Sequence, residues 1–377
     1  MKVAILGCGQ LARMMAHAAA PLGIECCFVK LGGEQTPCVD GLGKIVPWSP
    51  GDSAQALFLE LGEPDIVTVE REAIDVDLLR DMEPFSIVAP SAESVRVGQH
   101  RGRERALLDE LDIPCAAHRV VSTPEAVREA VEALGLPVVL KSCESGYDGK
   151  LQWRFHESAD VHRFCEEQTQ GEWLIEKFVA FDREVSIVAA RNRGGEFSAY
   201  PLTQNHHRDG ILLASLAPAP EITEALQRQA TEIIQRIMNH LNYVGVMAVE
   251  LFDVEGKLLV NELAPRVHNS CHWTMQDGIA SQFENHMRAV TGMSLGETQP
   301  HYHAGMLNVL GNPEPISAAA QAVPEVDVHL YNKSPKPLRK LGHLNIKGDS
   351  QAAVKASLLE LHERMYGAAS GQLLFSD

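Results

Sequence analysis

The chain has no CxxC pair, no internal repeat, no low-complexity stretch and no apolar run as long as a membrane span. It is also short of positive charge: 33 Lys and Arg stand against 50 Asp and Glu, a formal net charge of −17. The missing span argues against a membrane protein. The apolar start "MKVAIL" is too short for a secretory leader and reads as a first β-strand. The acidic balance repels nucleic acid and anionic lipid, so an anionic ligand needs a local basic cluster. Eight cysteines without paired spacing read as reduced, mostly buried thiols of a cytoplasmic protein. The histidines "HH" at 206–207 and "HYH" at 301–303 lack neighbouring cysteines or an HExxH frame, which argues against zinc. What is there, 377 residues with 45% hydrophobic and 22% charged, suits a globular protein of two or three domains.

Residues 2–6 read as a strand, "GCGQLARMMAHAAAPLG" as a turn into an alanine-rich helix, and "IECCFV" as the next strand. This βαβ opening carries G-x-G-x-x-A at 7–12. Its second strand ends at Val29 and Lys30, where a dinucleotide site would offer an acid to the ribose. The pattern therefore reads as a Rossmann-like half whose helix terminus holds another anion. Strands in "PDIVTVERE" (64–72) and "FSIVAPS" (85–91) complete a small parallel sheet by about residue 95. Residues 96–112 read as one charged helix at a domain junction. A capped helix at 122–135, a strand at 137–141, two strands within 173–190 and an amphipathic helix at 221–241 follow. Residues 243–266 read as a hairpin turning at 253–256, and from about 300 a small β-rich domain ends in a helix near 350–365. The fold class is α/β and α+β, divided at about 1–95, 96–298 and 299–377.

Four segments carry chemistry. In "KSCESGYDGKLQ" (141–152), Gly146 and Gly149 let backbone amides turn inward between Lys141 and Lys150, as a polyphosphate requires. The same composition also fits an ordinary hairpin loop. In the hairpin, Glu250 and Glu262 fall within two positions of facing each other, roughly 5–8 Å apart. Magnesium suits two such carboxylates. An exposed edge would hold them too, but the apolar neighbours Val246, Ala248, Val249 and Leu251 favour the metal. "NELAPRVHNSCHW" (261–273) gathers Arg266, His268, Asn269 and His272 just past these carboxylates, where loops at strand ends form sites. "YNKSPKPLRKLGH" offers Lys333, Lys336, Arg339 and Lys340, either a solvated loop or the phosphate clamp that the charge balance demands. "IEKFV" (175–179) by itself is a strand with a polar end.

In this order the segments resemble the ATP-grasp superfamily, and within it the N5-carboxyaminoimidazole ribonucleotide synthases of purine biosynthesis. The likeness rests on "GCGQLARM" at 7–14, "SGYDGKLQ" at 145–152, "EVSIV" at 184–188 and "PLTQNHHRDGIL" at 201–212. It continues through "YVGVMAVE" at 243–250, "NELAPRVHNS" at 261–270 and "RKLGH" at 339–343. The resemblance implies an ATP-grasp fold behind a Rossmann-like pre-ATP-grasp domain, with a lid at about 115–178 and a small C-terminal β-rich domain. It implies ATP-dependent carboxylation of aminoimidazole ribonucleotide by bicarbonate through carboxyphosphate, with magnesium, in a cytoplasmic homodimer that needs neither nucleic acid nor membrane.

The resemblance also implies residue roles. Arg101, Lys141 and the loop Gly146, Tyr147, Asp148, Gly149, Lys150, Leu151 and Gln152 would bind the ATP phosphates. Glu176, Lys177, Phe178 and Val179 would hold adenine, Glu184 the ribose, and His207 the nucleotide. Glu250 and Glu262 would hold the metal, with Asn261 beside them. Tyr147, Asp148 and Lys150 would reach the ribonucleotide, and Arg266, His268 and Asn269 would surround the reacting carboxylate. Arg266, Lys150 and Asp148 are the implied catalytic set. Lys333 and Arg339 would clamp the ribonucleotide phosphate, and Glu70 would contact the aminoimidazole. The chain departs from the family pattern at Leu151 and Cys271, where glycine is usual, and at Ala12, Arg105, Ser142 and Ser145. An ATP-grasp ligase with another acceptor, a Rossmann-type oxidoreductase and a non-catalytic nucleotide sensor are the alternative readings.

Overall fold

The structure is a computed structural model that describes residues 1–144, 151–168, 170–276, 278–367 and 374–375. Its first layer is a parallel sheet. Strands β1 (Lys2–Leu6), β2 (Glu25–Leu31), β3 (Lys44–Trp48), β4 (Ile66–Val69) and β5 (Ile87–Val88) lie in the order β3-β2-β1-β4-β5. Helices α1 (Gln10–Ala19), α2 (Ala54–Leu61) and α3 (Val76–Met82) connect them. Strands covered on both faces read as continuous apolar runs, which is why β1, β2 and β4 were legible. β3, five residues interrupted by Pro47, was not.

The charged segment 96–112 is two helices and not one. α4 (Ala92–Gly98) and α5 (Arg101–Glu110) break at His100, whose φ of −143° and ψ of 111° leave the helical region. The His100 ring accepts the Arg103 N–H at 3.3 Å and caps the second helix.

An antiparallel sheet follows, β6 (His118–Val121), β7 (Val138–Ser142), β8 (Gln152–Phe155) and β9 (Trp173–Lys177), in the order β6-β9-β7-β8. Helices α6 (Pro124–Leu134) and α7 (Ser158–Glu167) cover one face. Phe164 packs there against Trp153, Phe155 and Trp173 with ring centroids 5.0–5.5 Å apart.

The main sheet is larger. Strands β10 (Arg183–Arg191), β11 (Phe197–Ala199), β12 (Thr203–Arg208), β13 (Ile211–Ala217), β14 (Gly245–Val254) and β15 (Lys257–Ala264) carry α8 (Glu224–His240). The two strands expected within 173–190 therefore fall in different sheets. After α9 (Gln282–Thr291) come β16 (His303–Leu310), α10 (Ile316–Ala322), β17 (Asp327–Leu330), β18 (Lys340–Gly348) and α11 (Gln351–Tyr366). These last strands continue the main sheet: β16 pairs with β13, Ala214 opposite Leu307, in the order β15-β14-β10-β12-β13-β16-β18-β17.

A shared core locks the first layer to the main sheet. Met14 and Met15 of α1 pack with Trp273, Phe283 and Met287 from and around α9, all nearly fully buried. All eight cysteines are unpaired. No described helix is long and apolar enough to cross a membrane.

Candidate active site

Two cavities meet at one wall. The first, about 830 Å³, lies between the small antiparallel sheet and the main sheet. The hairpin β14–β15 forms its floor. Glu250 pairs directly with Glu262 across the strands, and the register then shifts so that Leu251 faces Val260. That bulge leaves Asn261 as an extra residue, so Asn261 and Glu262, consecutive in sequence, both line the cavity. A regular strand would turn them to opposite faces. His206 and His207 of β12 also both line the cavity, beside a register shift whose extra residue, Leu213, lies on the partner strand β13.

The electrostatics concentrate negative charge on this floor. Burial, and then the nearby Glu262 and Glu184, push the Glu250 carboxyl up to about 7, although His207 opposes them. His268 Nε2 lies 3.4 Å from Glu250, and Arg101 Nη2 lies 3.4 Å from Glu262. His207 contacts Glu184, and despite burial this carboxylate and Glu250 raise the ring's pKa. Glu250, Glu262 and the Asn261 amide form a set of hard oxygen donors with an excess of charge, which fits magnesium.

The opposite wall carries cations. Lys141 Nζ lies 2.7 Å from Glu176 and 3.2 Å from Asn261 Oδ1. Arg105, almost fully buried, reaches the same Glu176 at 2.7 Å and donates to the Asn261 carbonyl at 2.6 Å. Burial alone would raise Glu176, but Lys141 and Arg105 override it and hold the carboxyl down at about 2. The Glu176 side chain thus fixes two cations. The amides of Lys177 and Phe178 are spent on the carbonyls of Ala117 and Pro137. Gln152, Val179, His268 and Asn269 complete the lining that the sequence suggested. Gly146, Tyr147, Asp148, Gly149 and Lys150 lie outside the described residues.

The second cavity, about 1060 Å³, opens between the first layer and the loop before β18. Lys333, Lys336, Arg339 and Lys340 line it, with Glu70 and the turn Gly9–Gln10 opposite. Lys333 donates to Gln10 Oε1, and burial lowers its pKa. Glu70 overturns the expectation that the α1 terminus holds a ligand anion. Its own carboxylate accepts the amides of Gly9 at 3.1 Å and Ala12 at 3.2 Å. A Cβ on Gly7 would stand 2.4 Å from Glu70 Cγ, and one on Gly9 2.6 Å from Oε1. The G-x-G spacing makes room for a carboxylate of the chain itself.

Asp209, Arg266 and Lys340 line both cavities. Arg266 is buried and held by Glu72 through Nε and, at 3.1 Å, Nη2. Neither Glu72 nor Asp209 stood out in the sequence. Glu72 lies two residues from Glu70 in the bends that follow β4, and both line the second cavity. Asp209 sits in a turn at φ +52°, a position that "HRDG" signals only as a turn.

Three family models match the chain. They are the ribonucleotide synthetase preATP-grasp domain over residues 1–99, the ATP-grasp domain over 106–283, and the phosphoribosylaminoimidazole carboxylase C-terminal domain over 304–357. The N5-carboxyaminoimidazole ribonucleotide synthase of Vibrio cholerae is 40% identical over 96% of this chain and 94% of its own. The chain belongs to the N5-carboxyaminoimidazole ribonucleotide synthase family. Among solved structures, the family member from Thermus thermophilus superposes with a TM-score of 0.89 at 37% identity, covering 97% of this chain and 98% of that one. A family member from Aspergillus clavatus, in complex with ADP and 5-aminoimidazole ribonucleotide, superposes with a TM-score of 0.87 at 26% identity, covering 97% and 98%. The ATP-grasp fold with its preceding domain and C-terminal extension is thereby established for this chain.

Proposed function

We propose that this protein is an ATP-grasp ligase that carboxylates 5-aminoimidazole ribonucleotide with bicarbonate and ATP, releasing ADP and phosphate. One observation carries the reading beyond kinship: two cavities of nucleotide size share the buried, acid-anchored Arg266 as their wall. ATP occupies the first cavity, with its phosphates between Lys141, Arg101 and the Glu250–Glu262 floor. The ribonucleotide occupies the second, its phosphate held by Lys333 and Arg339 and its amine beside Glu70.

Lys141, held in place by Glu176 and Asn261, supplies fixed positive charge to the γ-phosphoryl group as bicarbonate oxygen attacks it in line. Glu250 and Glu262 would hold magnesium, which would supply neutralising positive charge beside the transferring phosphoryl group. Carboxyphosphate forms as the bond to ADP breaks. Arg266 and Lys340, reaching both cavities, hold its carboxylate while the ribonucleotide amine attacks the carbon. Phosphate leaves with the bonding pair, and the amine loses a proton as the carbamate forms. His268, whose ring burial and the neighbouring Arg266 and Lys340 keep neutral, offers hydrogen bonding without added charge.

We further propose a cytoplasmic homodimer with boundaries near 95 and 298. The test of function is ADP release by the purified protein with magnesium-ATP and bicarbonate, with and without the ribonucleotide. Release that depends strongly on the ribonucleotide supports the acceptor. Release without it reopens the acceptor, and ATP binding without release points to a sensor.

A further inference from the structure

Three side chains on one face of α5, Arg101, Glu104 and Arg105, converge on three consecutive residues of β15. Arg105 Nη2 donates to the Asn261 carbonyl at 2.6 Å, and the Leu263 amide donates to Glu104 Oε1. That carbonyl and that amide belong to the two peptide groups on either side of the Glu262 Cα. Each peptide is planar, so holding both sets the backbone angles of Glu262. Arg101 Nη2, 3.4 Å from the carboxylate, then steadies the side chain itself.

β15 needs such a hold because it is the outer strand of the main sheet. Its ladder with β14 is interrupted by the register shift between Glu250 and Leu251, at the point where Glu262 must be kept in place. A slip of one residue there would turn Glu262 away from the cavity. α5 supplies the partner that a further strand would have supplied. Glu104 is 3% exposed, and burial, reinforced by Glu262, pushes its carboxyl up to about 7 although Arg105 and the Leu263 amide oppose this. Ionised or protonated, the group keeps an oxygen that can accept the Leu263 amide, so the hold does not depend on its charge.

We propose that Glu104 and Arg105 are positioning residues that fix the Glu262 carboxylate in the orientation that receives the metal, a role that rests on reading Glu262 as a magnesium ligand. Neither is among the described residues that line the cavities, so both reach the substrates only through the residues they hold. Arg105 also holds Glu176 and is therefore shared between two tasks. Glu104 is the cleaner probe.

The test is Mn2+ binding by the full-length protein with ADP present, read by loss of the free-ion paramagnetic resonance signal. Mn2+ takes the same oxygen ligands as magnesium. Glu104→Met removes the acceptor at similar length and should weaken Mn2+ binding about tenfold, the scale on which partners of metal ligands act. Binding of ADP without metal should be unchanged. Glu104→Gln keeps an oxygen on the Leu263 amide and should recover most of the affinity. Glu104→Asp, one methylene shorter, should fall between, and it carries the test where the methionine variant does not fold. Glu262→Gln should lose the ADP-dependent Mn2+ site; if it keeps the site, the metal assignment of Glu262 fails and the positioning role with it. If Glu262→Gln loses the site while Glu104→Met and Glu104→Asp bind Mn2+ like the wild type, the positioning role alone falls. Equal losses in the Gln and Met variants, or a parallel loss of metal-free ADP binding, also overturn it, because they trace the effect to charge or to the cavity as a whole.

Discussion

Arg266 donates two hydrogen bonds from its guanidinium to the Glu72 carboxylate, inside the wall between the two cavities. Burial would raise the Glu72 carboxyl, but Arg266 more than compensates and keeps it ionised. Because the guanidinium also donates to the Val267 carbonyl at 3.1 Å, its plane is set on two sides. Glu72→Gln leaves a buried cation with a neutral partner. Stability should fall by about 3 kcal/mol. kcat should drop more than tenfold while the KM for ATP changes little, because Arg266 acts where the cavities meet. Steady-state kinetics with each substrate varied, alongside thermal melting, check both; an unchanged kcat would remove Arg266 from the reaction.

Glu262→Gln should lower magnesium-ATP turnover by at least about 100-fold, the scale of losing one preorganised electrostatic contact. Folding should survive. Removing this charge relieves Glu250, whose carboxyl Glu262 helps to raise. A melting temperature equal to or above the wild type, with ADP release gone, is the expected pair of results; retained turnover would sink the metal assignment.

Without a cation, Glu250 titrates at about 7. A metal binds its ionised form, so a proton must leave below that pH. The magnesium concentration giving half-maximal ADP release should be flat above pH 7 and rise by up to about tenfold per unit below it. For the metal-free protein the sign is opposite. This raised carboxyl contributes stability at low pH that is lost as pH rises from the ordinary carboxylate range through about 7. Magnesium titrations at pH 6, 7 and 8 decide the matter, and a constant half-saturation would exclude Glu250 as a ligand.

Gly9→Ala places a methyl carbon 2.6 Å from the Glu70 carboxylate. Glu70 must shift, at about 1–3 kcal/mol. The KM for the ribonucleotide should rise about tenfold with that for ATP nearly unchanged. An equal rise in both would show that Glu70 does not serve the second cavity.

Leu151 stands at φ +63°, a left-handed conformation that costs a non-glycine residue about 1 kcal/mol or more. Its carbonyl accepts the Ser142 amide at 3.1 Å, which ties the turn to the end of β7. The glycine usual in the family fits this backbone without strain. Leu151→Gly should keep or lower the KM for ATP, and Leu151→Val should raise it roughly fivefold, since a β-branched residue tolerates this region least. The reverse order would show that the strain is not felt at the nucleotide.

Elements whose signal is local were legible in the residues: the apolar strands β1, β2 and β4, the capped helix α6, and the hairpin with its turn at Glu255 and Gly256. The sequence also named charged side chains of one cavity or the other, because Lys141, Glu250, Glu262, Arg266 and Lys333 sit in motifs of fixed spacing. Tertiary structure alone decided how those motifs meet. The helix break at His100 depends on a ring capping Arg103, and the co-facing of Asn261 and Glu262 depends on a bulge that no alternation of polarity announces. Glu70 filling the α1 terminus, Glu176 binding two cations and Glu72 anchoring Arg266 each join residues 35 to 194 positions apart. Periodicity reports what one element shows to its surroundings; which partner arrives there is set by packing across the whole chain.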